Sequence, residues 1–400
     1  MFFNLTTNKA KNFTLHFNLP NGLILNTDEG WETFDIDNCT IILKGYSNLY
    51  DLKTLATYLT DCKRTSIKGN FCAFVCKDDK VTILHDKDRG FPIWVGDKTV
   101  TNLFARNDEP VWEDCNITID REMNVTRQWE TPYAFTQKEM LSDVQIIDKI
   151  DNILNETFEN FLSHNKTPLK IFLTGGIDTL LAWTYLDSFT KNYEIVDYEY
   201  MKYTYFYSMN QKLLETHQPY KQVHLWKDPT VLITGMCGDE YFMRGPHTSA
   251  QCLKYHGYNL LERLKESDYM YYFFNRKNCT AGILNGIDAV KQEQSMEEVY
   301  TDIFNRNKND HQHWHIDNTI TFTPFKDTSI MEIILRGRAE LLLDNARDAA
   351  IEKMLIEKRD PKKLKFLEKR KNTTGCYSKY WDKDSSMVSY NKLDHLDEKQ

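Results

Sequence analysis

The chain lacks the features that would place it among secreted or membrane proteins. Its nine cysteines are an odd number spread over 400 residues, whereas small secreted domains carry paired cysteines at close spacing. No apolar run is long enough to span a membrane, and residues 1–5 (Met-Phe-Phe-Asn-Leu) show neither the basic start nor the apolar core of a signal peptide. These absences predict reduced thiols, no membrane partner and a cytoplasmic location.

A basic excess is also missing. The formal net charge is −8, which argues against a nucleic-acid partner because such partners attract positive surfaces. Hydrophobic residues make up 41% and charged residues 27% of the chain, which is the balance of a globular protein. A chain of this length holds two or three domains. The polar stretch at 135–145 marks a boundary, so we predict domains at 1–140 and 141–400.

The first domain is predicted to be α+β with antiparallel pairing. Short apolar or alternating runs are separated by turn residues, as in antiparallel strands, and residues 77–80 are typical of a hairpin turn. The segment 49–59 has helical spacing instead. The expected strands are 41–43, 71–76, 81–84 and 93–95. Together these elements predict an antiparallel β sandwich with helices.

From residue 144 the pattern changes to helices that alternate with short apolar strands. Apolar residues recur at helical spacing over 144–161, and the later part of the chain is mostly helical, with strong helix formers over 339–353. The expected strands are 171–173, 194–198, 223–225 and 231–234. That alternation is typical of a parallel sheet with helices on both faces. We therefore predict an α/β parallel-sheet domain with a helical C-terminal part.

The most informative stretch is 174–179 (Thr-Gly-Gly-Ile-Asp-Thr), which follows an apolar strand and precedes an apolar helical pattern. Glycines at such a turn let backbone N–H groups close on an anion, and the helix dipole favours negative charge there. Asp178 would repel a phosphate unless a cation lay between them, so it suggests a magnesium ion. The alternative is an ordinary strand-to-helix turn with Thr174 as its N-cap.

A second loop repeats this design. Residues 231–245 run from an apolar strand into a hydroxyl–glycine pair and then into Gly238 and Asp239. In a parallel sheet this loop emerges at the same edge as the first. Asp178 and Asp239 would then face one another across a phosphate site, and two carboxylates with a triphosphate suit magnesium. The alternative is a pair of unrelated polar turns.

Both loops carry a family resemblance. The first resembles the Ser-Gly-Gly-x-Asp-Ser loop of ATP pyrophosphatases, and it is not a Walker A loop because no Lys-Ser/Thr pair follows the glycines. The second, at 234–245, resembles the Ser-Gly-Glu-Gly-x-Asp-Glu-Leu-Phe-x-Gly segment of asparagine synthetases and β-lactam synthetases. Four further stretches are similar to motifs of that family in the same order: 68–74, 86–94, 322–327 and 368–375.

The resemblance implies an AMP-forming carbon–nitrogen ligase. Such an enzyme adenylates a small-molecule carboxylate with ATP, releases pyrophosphate and passes the acyl group to ammonia or an amine. Asp178 and Asp239 would bind Mg²⁺, which neutralises charge on the leaving group. The late basic segment would supply a catalytic lysine, Lys371 or otherwise Lys369, and a homodimer is possible. The residues that would form the cradle for the nucleotide phosphates are Thr174, Gly175, Gly176, Asp178, Thr179, Gly235 and Gly238.

Two departures from the family change the expected reaction. Residues 2 and 3 are Phe and the first cysteine is Cys39, so the N-terminal domain lacks the family's cysteine nucleophile and is predicted not to hydrolyse glutamine. Met236 stands where asparagine synthetases carry a glutamate, and a thioether cannot transfer protons. Three alternatives stay open: a β-lactam-synthetase-like ring closure, a catalytically dead nucleotide-binding homologue, and a different pyrophosphatase such as a nucleobase- or tRNA-modifying enzyme.

Overall fold

The structure of the chain is a computed structural model. It describes residues 3–10, 13, 15–28, 30–36, 38–49, 51–61, 67–86, 93–102, 109–111, 115–129, 134–136, 138–173, 176–196, 228–244, 246–257, 288, 290–291, 293–309 and 319–371. The predicted strand at 223–225 and the end of the strand predicted at 194–198 lie outside these residues. Among the helices it describes, none is long and apolar enough to cross a membrane.

Antiparallel strands build the N-terminal part, as predicted, and the described residues form two six-stranded sheets. The first contains β1 (Phe3–Thr6), β2 (Leu15–Asn18), β3 (Ile24–Thr27), β8 (Ile93–Gly96), β9 (Thr99–Thr101) and β10 (Glu109–Val111), in the order β10-β8-β9-β1-β3-β2. The second contains β4 (Glu32–Ile36), β5 (Cys39–Ser47), β6 (Gly69–Lys77), β7 (Lys80–His85), β11 (Cys115–Ile119) and β12 (Val125–Trp129), in the order β12-β11-β7-β6-β5-β4. The predicted hairpin is confirmed, because Lys77 pairs with Lys80 across the turn between β6 and β7.

The core of this part is layered around β6. Successive side chains of a strand point to opposite faces. Cys72 and Phe74 accordingly join the apolar cluster between the two sheets, whereas Phe71 and Ala73 join the cluster that contains apolar side chains of α1 (Leu52–Thr60). Burial of both faces explains why this strand is a continuous apolar run in the sequence.

The second part contains the predicted parallel sheet. Its strands are β13 (Leu169–Phe172), β14 (Glu194–Val196), β15 (Thr230–Ile233) and β16 (Thr319–Phe322), all parallel, in the order β14-β13-β15-β16. The strand β16 was not predicted, because the sequence analysis assigned mostly helix after residue 245. Its sequence is Thr-Ile-Thr-Phe, and both threonines are buried. A buried hydroxyl residue does not register as apolar, so the strand was missed.

Helices pack around this sheet. The described ones are α2 (Asp143–His164), α3 (Ile177–Phe189), α4 (Gly238–Tyr241), α5 (Pro246–Tyr255), α6 (Met296–Asn309), α7 (Thr328–Ile334), α8 (Ala339–Asp348), α9 (Ala350–Arg359) and α10 (Leu364–Lys371), with a 3₁₀ turn at Pro361–Lys363. The helix predicted at 144–161 is confirmed as α2. It begins with a capping box between Ser142 and Gln145, in which each side chain accepts the other's backbone N–H.

The helix-forming run at 339–353 is interrupted. Ala349 lies in the left-handed region, with φ 52°, and separates α8 from α9. The buried Asn345 holds this break, because its Oδ1 accepts a hydrogen bond of 2.9 Å from the backbone N–H of Ile351. Helix propensity alone predicts no break here, since alanine and leucine favour a continuous helix. The break sets where α9 starts, and thereby where its first-turn side chains lie.

The N-terminal and C-terminal parts contact one another through polar and aromatic side chains. The buried Lys326 forms an ion pair of 2.5 Å with the buried Asp86. The Tyr46 ring packs at 5.3 Å from Phe161, and its hydroxyl accepts a hydrogen bond from the backbone N–H of Thr323. The domain boundary that the sequence places at residue 140 stays a prediction.

Candidate phosphate site

The first predicted loop leads directly into α3. Leu173, just past β13, donates its backbone N–H to Val196, and α3 begins after the extended Gly176, which is its N-cap. The alternative reading with Thr174 as N-cap was therefore wrong. The first turn of this helix carries Asp178, whose carboxylate is favoured by the positive end of the helix dipole. Thr174 and Gly175 lie outside the described residues, and their predicted contacts with phosphate stay predictions.

The second predicted loop lies against the first. Thr234 follows β15 and donates its backbone N–H to Phe322. A Cβ atom added at Gly235 would overlap the backbone nitrogen of Thr179, and one added at Gly238 would overlap the carboxylate of Asp178. Both glycines are therefore required by close packing rather than by an unusual φ. The sequence predicted that the two loops share one edge of the sheet, and they do.

The two predicted metal ligands are close together, and an arginine lies between them. The Arg244 Nη2 atom contacts Asp178 Oδ1 and lies 2.7 Å from Asp239 Oδ1. The Nε atom of the same guanidinium contacts Glu352 Oε1. The Arg244 side chain is 13% exposed and Glu352 is fully buried, whereas Asp239 is 63% exposed. One cation thus neutralises carboxylates from the starts of three helices, α3, α4 and α9.

Burial and crowding of like charge raise the pKa values of this cluster. Burial raises the pKa of Asp178 to about 6, with Arg244 opposing the rise and Asp239 adding to it. Burial also raises the pKa of Glu352 to about 8, again against Arg244. The pKa of Glu240 rises to about 8 because of burial and the charge of Asp239. At neutral pH both glutamates therefore hold protons most of the time, which lowers the negative charge of the cluster.

In this arrangement the carboxylate pair does not fit Mg²⁺. The Arg244 Nη2 atom contacts both carboxylates and so occupies the position between them that a bridging ion would need. The part of the chain that the structure describes also contains no group of three or more His, Cys, Asp or Glu side chains that could hold a metal ion. Mg²⁺ at Asp178 and Asp239 stays a prediction that would need Arg244 to move away.

Thr179 and Met236 lie in the loops but present no proton-transfer group to a ligand. Thr179 is 5% exposed, and its hydroxyl donates a hydrogen bond of 3.0 Å to the carbonyl of Gly176. That hydrogen would have to turn away before Thr179 could donate to a phosphate. Met236 is half-buried, and its backbone N–H donates to the Thr234 hydroxyl at 3.4 Å. Its thioether has no acid or base function.

The predicted catalytic lysines lie on α10, and the side chains of Lys369 and Lys371 are outside the described residues. This helix packs beside α3, because the Phe366 ring lies 5.4 Å from the Trp183 ring in an edge-on contact. A third lysine, Lys363, is buried over the Trp183 ring at 3.9 Å and pairs with Asp187 at 2.9 Å. The segment that carries the predicted lysines is thus attached to the helix that carries Asp178.

No protein-family model and no curated protein matches this chain. The solved structures that match include glutamine phosphoribosylpyrophosphate amidotransferase from B. subtilis complexed with ADP and GMP (8% identity, 83% of this chain and 86% of that chain, TM-score 0.22) and the allosteric regulatory enzyme of purine biosynthesis (8% identity, 87% of this chain and 89% of that chain, TM-score 0.21). No family is shown by these matches.

Sequence reasoning missed Arg244 and Glu352. Arg244 lies near the end of the second loop, close to Asp239 and Glu240, so a single basic residue beside acidic ones was a signal that the sequence offered. Glu352 gives no such signal, because it lies in a helix-forming run where glutamate is common. The contact of Glu352 with Arg244 depends on the helix break at Ala349, which is visible only in the folded chain.

Proposed function

We propose that this chain is an ATP-dependent, AMP-forming carbon–nitrogen ligase of the asparagine synthetase type. The observation that carries the proposal is the direct packing of two hydroxyl–glycine–aspartate loops at the carboxyl ends of the neighbouring strands β13 and β15. Ligands of open α/β sheets bind at that edge. The Arg244 guanidinium at the same place suits the phosphates of a nucleotide.

In the proposed reaction, a carboxylate oxygen of a small substrate attacks the α-phosphorus of ATP. The bond from that phosphorus to the bridging oxygen breaks, and its electron pair leaves with pyrophosphate. The start of α3 and Arg244 would balance the charge that develops on this leaving group. Ammonia or an amine then attacks the acyl carbon, AMP leaves, and the surplus proton passes to solvent. Lys371, or otherwise Lys369, is proposed to stabilise the phosphorus or the tetrahedral oxyanion.

The N-terminal domain is proposed to have no glutaminase activity, so the nitrogen comes from ammonia or an amine of the substrate. Phe3 supports this proposal, because its fully buried ring packs against Phe74 at 4.9 Å and Trp31 at 6.1 Å. The start of β1 is thus a core element without a thiol. Incubation with glutamine should release no glutamate above a heat-denatured control. Steady release that scales with enzyme concentration would contradict this part of the proposal.

The direct test of the ligase is exchange of labelled pyrophosphate into ATP with a panel of carboxylates. One carboxylate should support exchange, and the panel should include substrates that carry their own amine, since ring closure is the β-lactam-synthetase-like alternative. Asp178→Asn should reduce the exchange at least tenfold, because it removes the partner that orients Arg244. Exchange at the wild-type rate in that variant would contradict the site assignment.

A second candidate is a homologue that binds a nucleotide but catalyses no ligation. The specific observation in its favour is Arg244, which fills the space between the two predicted metal ligands. Nucleotide binding without exchange for any carboxylate would favour this candidate. Exchange with a single carboxylate would exclude it.

A further inference from the structure

We propose that a pocket at the junction of the N-terminal and C-terminal parts binds a small organic ammonium compound. The pocket has a volume of about 160 Å³ and is lined by side chains of β5, α2 and the segment that follows β16, with Lys68 and Gly69 at the start of β6. Among the described residues that line it, none belongs to the predicted phosphate, metal or lysine sets. The proposal therefore does not depend on the proposed ligase activity.

One wall of the pocket is a single face of α2. Residues 153, 156, 157, 160 and 161 line it, and their spacing of three and four positions places them on one side of a helix. Ile153 and Phe161 make this wall apolar at its two ends, whereas Glu156 lies between them and is exposed. The helix thus brings one carboxylate next to apolar side chains.

Three aromatic rings from three different elements also line the pocket. The Tyr46 ring makes edge-on contacts with Phe161 at 5.3 Å and with Phe322 at 5.2 Å, and Phe161 stacks on Phe322 at 3.9 Å. Each ring is therefore held in place by the other two. Because the faces of aromatic rings carry partial negative charge, such a lining favours a cation with an apolar body over an anion.

The two lysines of the pocket are already neutralised. Lys326 Nζ lies 2.5 Å from Asp86 Oδ1, and Lys68 Nζ lies 2.5 Å from Asp327 Oδ2. Glu156 differs, since among the described residues none forms a hydrogen bond or an ion pair with its carboxylate. The charge that stays uncompensated at this pocket is therefore negative, and an ammonium group complements it.

The volume of the pocket limits the size of the ligand. A protein cavity of roughly 150 Å³ accommodates benzene, a molecule of about six non-hydrogen atoms. A branched alkylammonium ion of that size could place its apolar end on the aromatic rings and its ammonium group beside Glu156. A cation–π interaction and a charge-assisted hydrogen bond would then select the same ligand.

Calorimetric titration of the full chain tests the ligand class with three probes of similar shape at constant ionic strength. The probes are 3-methylbutylammonium, the uncharged 3-methylbutanol and the anionic 4-methylpentanoate. The ammonium ion should bind with a dissociation constant of about 1 mM or below, and the other two should bind at least tenfold more weakly. Equal binding of the alcohol, tighter binding of the carboxylate or no binding of the ammonium ion would overturn the proposal.

Glu156→Gln tests the charge that the proposal assigns to recognition. It should weaken binding of 3-methylbutylammonium at least fivefold, because a charge-assisted hydrogen bond is lost. Glu159→Gln is the matched control, since Glu159 is exposed on the same helix but does not line the pocket. The control should bind as the wild type does. Equal losses in the two variants would assign the effect to general surface charge and overturn the proposal.

Two further positions check the sign of the charge and the aromatic wall. Lys68→Met should bind the ammonium ion at least as tightly as the wild type, because Asp327 then loses its cation. Weaker binding in that variant would contradict an ammonium ligand. Tyr46→Leu should weaken binding at least threefold, whereas Tyr46→Phe keeps the ring and should not. If Tyr46→Leu does not fold, Glu156→Gln and its control still decide the outcome.

Discussion

At the scale of single residues, one guanidinium organises the candidate site. Arg244 neutralises carboxylates that the chain supplies from positions 178, 239 and 352. Asp178 and Glu352 alone would be unfavourable in their places, since burial of a carboxylate favours its protonated form and raises its pKa. Arg244 offsets part of the free-energy cost of burying Asp178 and Glu352. The remaining cost appears as the raised pKa values of these two carboxyl groups.

Glu352 should therefore make stability depend on pH. Burial raises its pKa from 4.5 to about 8 in the folded chain, so the folded state holds a proton that the unfolded state releases. The stabilisation is complete below pH 4.5 and is lost as pH rises through 8. Glu352→Gln should flatten the fall in unfolding free energy over this window by at most about 5 kcal/mol.

Urea denaturation at a series of pH values measures this slope. Glu240 should keep part of the slope in the variant, because its pKa is raised to about 8 as well. Parallel curves for the wild type and Glu352→Gln would show that Glu352 does not titrate in this window. The two proteins should be most alike at low pH, where both side chains are neutral.

At the scale of elements, the site depends on two loops that leave no room for side chains. Gly238 is the first residue of α4, where alanine would ordinarily favour the helix by about 1 kcal/mol. The Cβ of Gly238→Ala would instead meet the Asp178 carboxylate. We expect the overlap to prevail, with a net loss of about 1–3 kcal/mol in stability and weaker pyrophosphate binding.

Gly257→Ala is the control for this change. Gly257 has open space around it but a φ of +72°, so alanine there costs about 1 kcal/mol through the backbone alone. It should lower the Tm without affecting pyrophosphate binding. Equal binding losses in both variants would mean that Gly238 acts through general stability rather than through Asp178.

The elements also show what a sequence can and cannot predict. The β6–β7 hairpin and α2 depend on turn residues, capping and spacing within a few positions, and these local signals were sufficient. The break at Ala349 depends on Asn345 reaching Ile351 in a folded chain. The pairing of Arg244 with Asp178 joins residues 66 positions apart. Sequence patterns predicted that the two loops meet, but not which cation lies between them.

At the scale of the whole molecule, the N-terminal part is joined to the part that contains the parallel sheet by a buried ion pair. Lys326 and Asp86 are each 1% exposed. Lys326→Met would leave a buried carboxylate without this cation, which costs about 3–5 kcal/mol. The neighbouring pair Lys68–Asp327 spans the same contact, but Lys68 is 52% exposed. Lys68→Met should therefore cost at most about 1 kcal/mol.

Urea unfolding of both variants checks this difference. Asp86→Asn in the Lys326→Met background should restore much of the loss, because the buried charge is then gone. Equal costs for the two lysines would mean that burial does not decide the strength of these pairs.

Tyr46 gives the N-terminal part a packing role that requires no catalytic activity. Its ring lies on Phe161 and Phe322, and its hydroxyl accepts the Thr323 N–H at the end of β16. A shortened chain without this part would expose the rings of Phe161 and Phe322 beside the end of β16. The N-terminal part can therefore be retained for packing alone, whether or not it has an activity of its own.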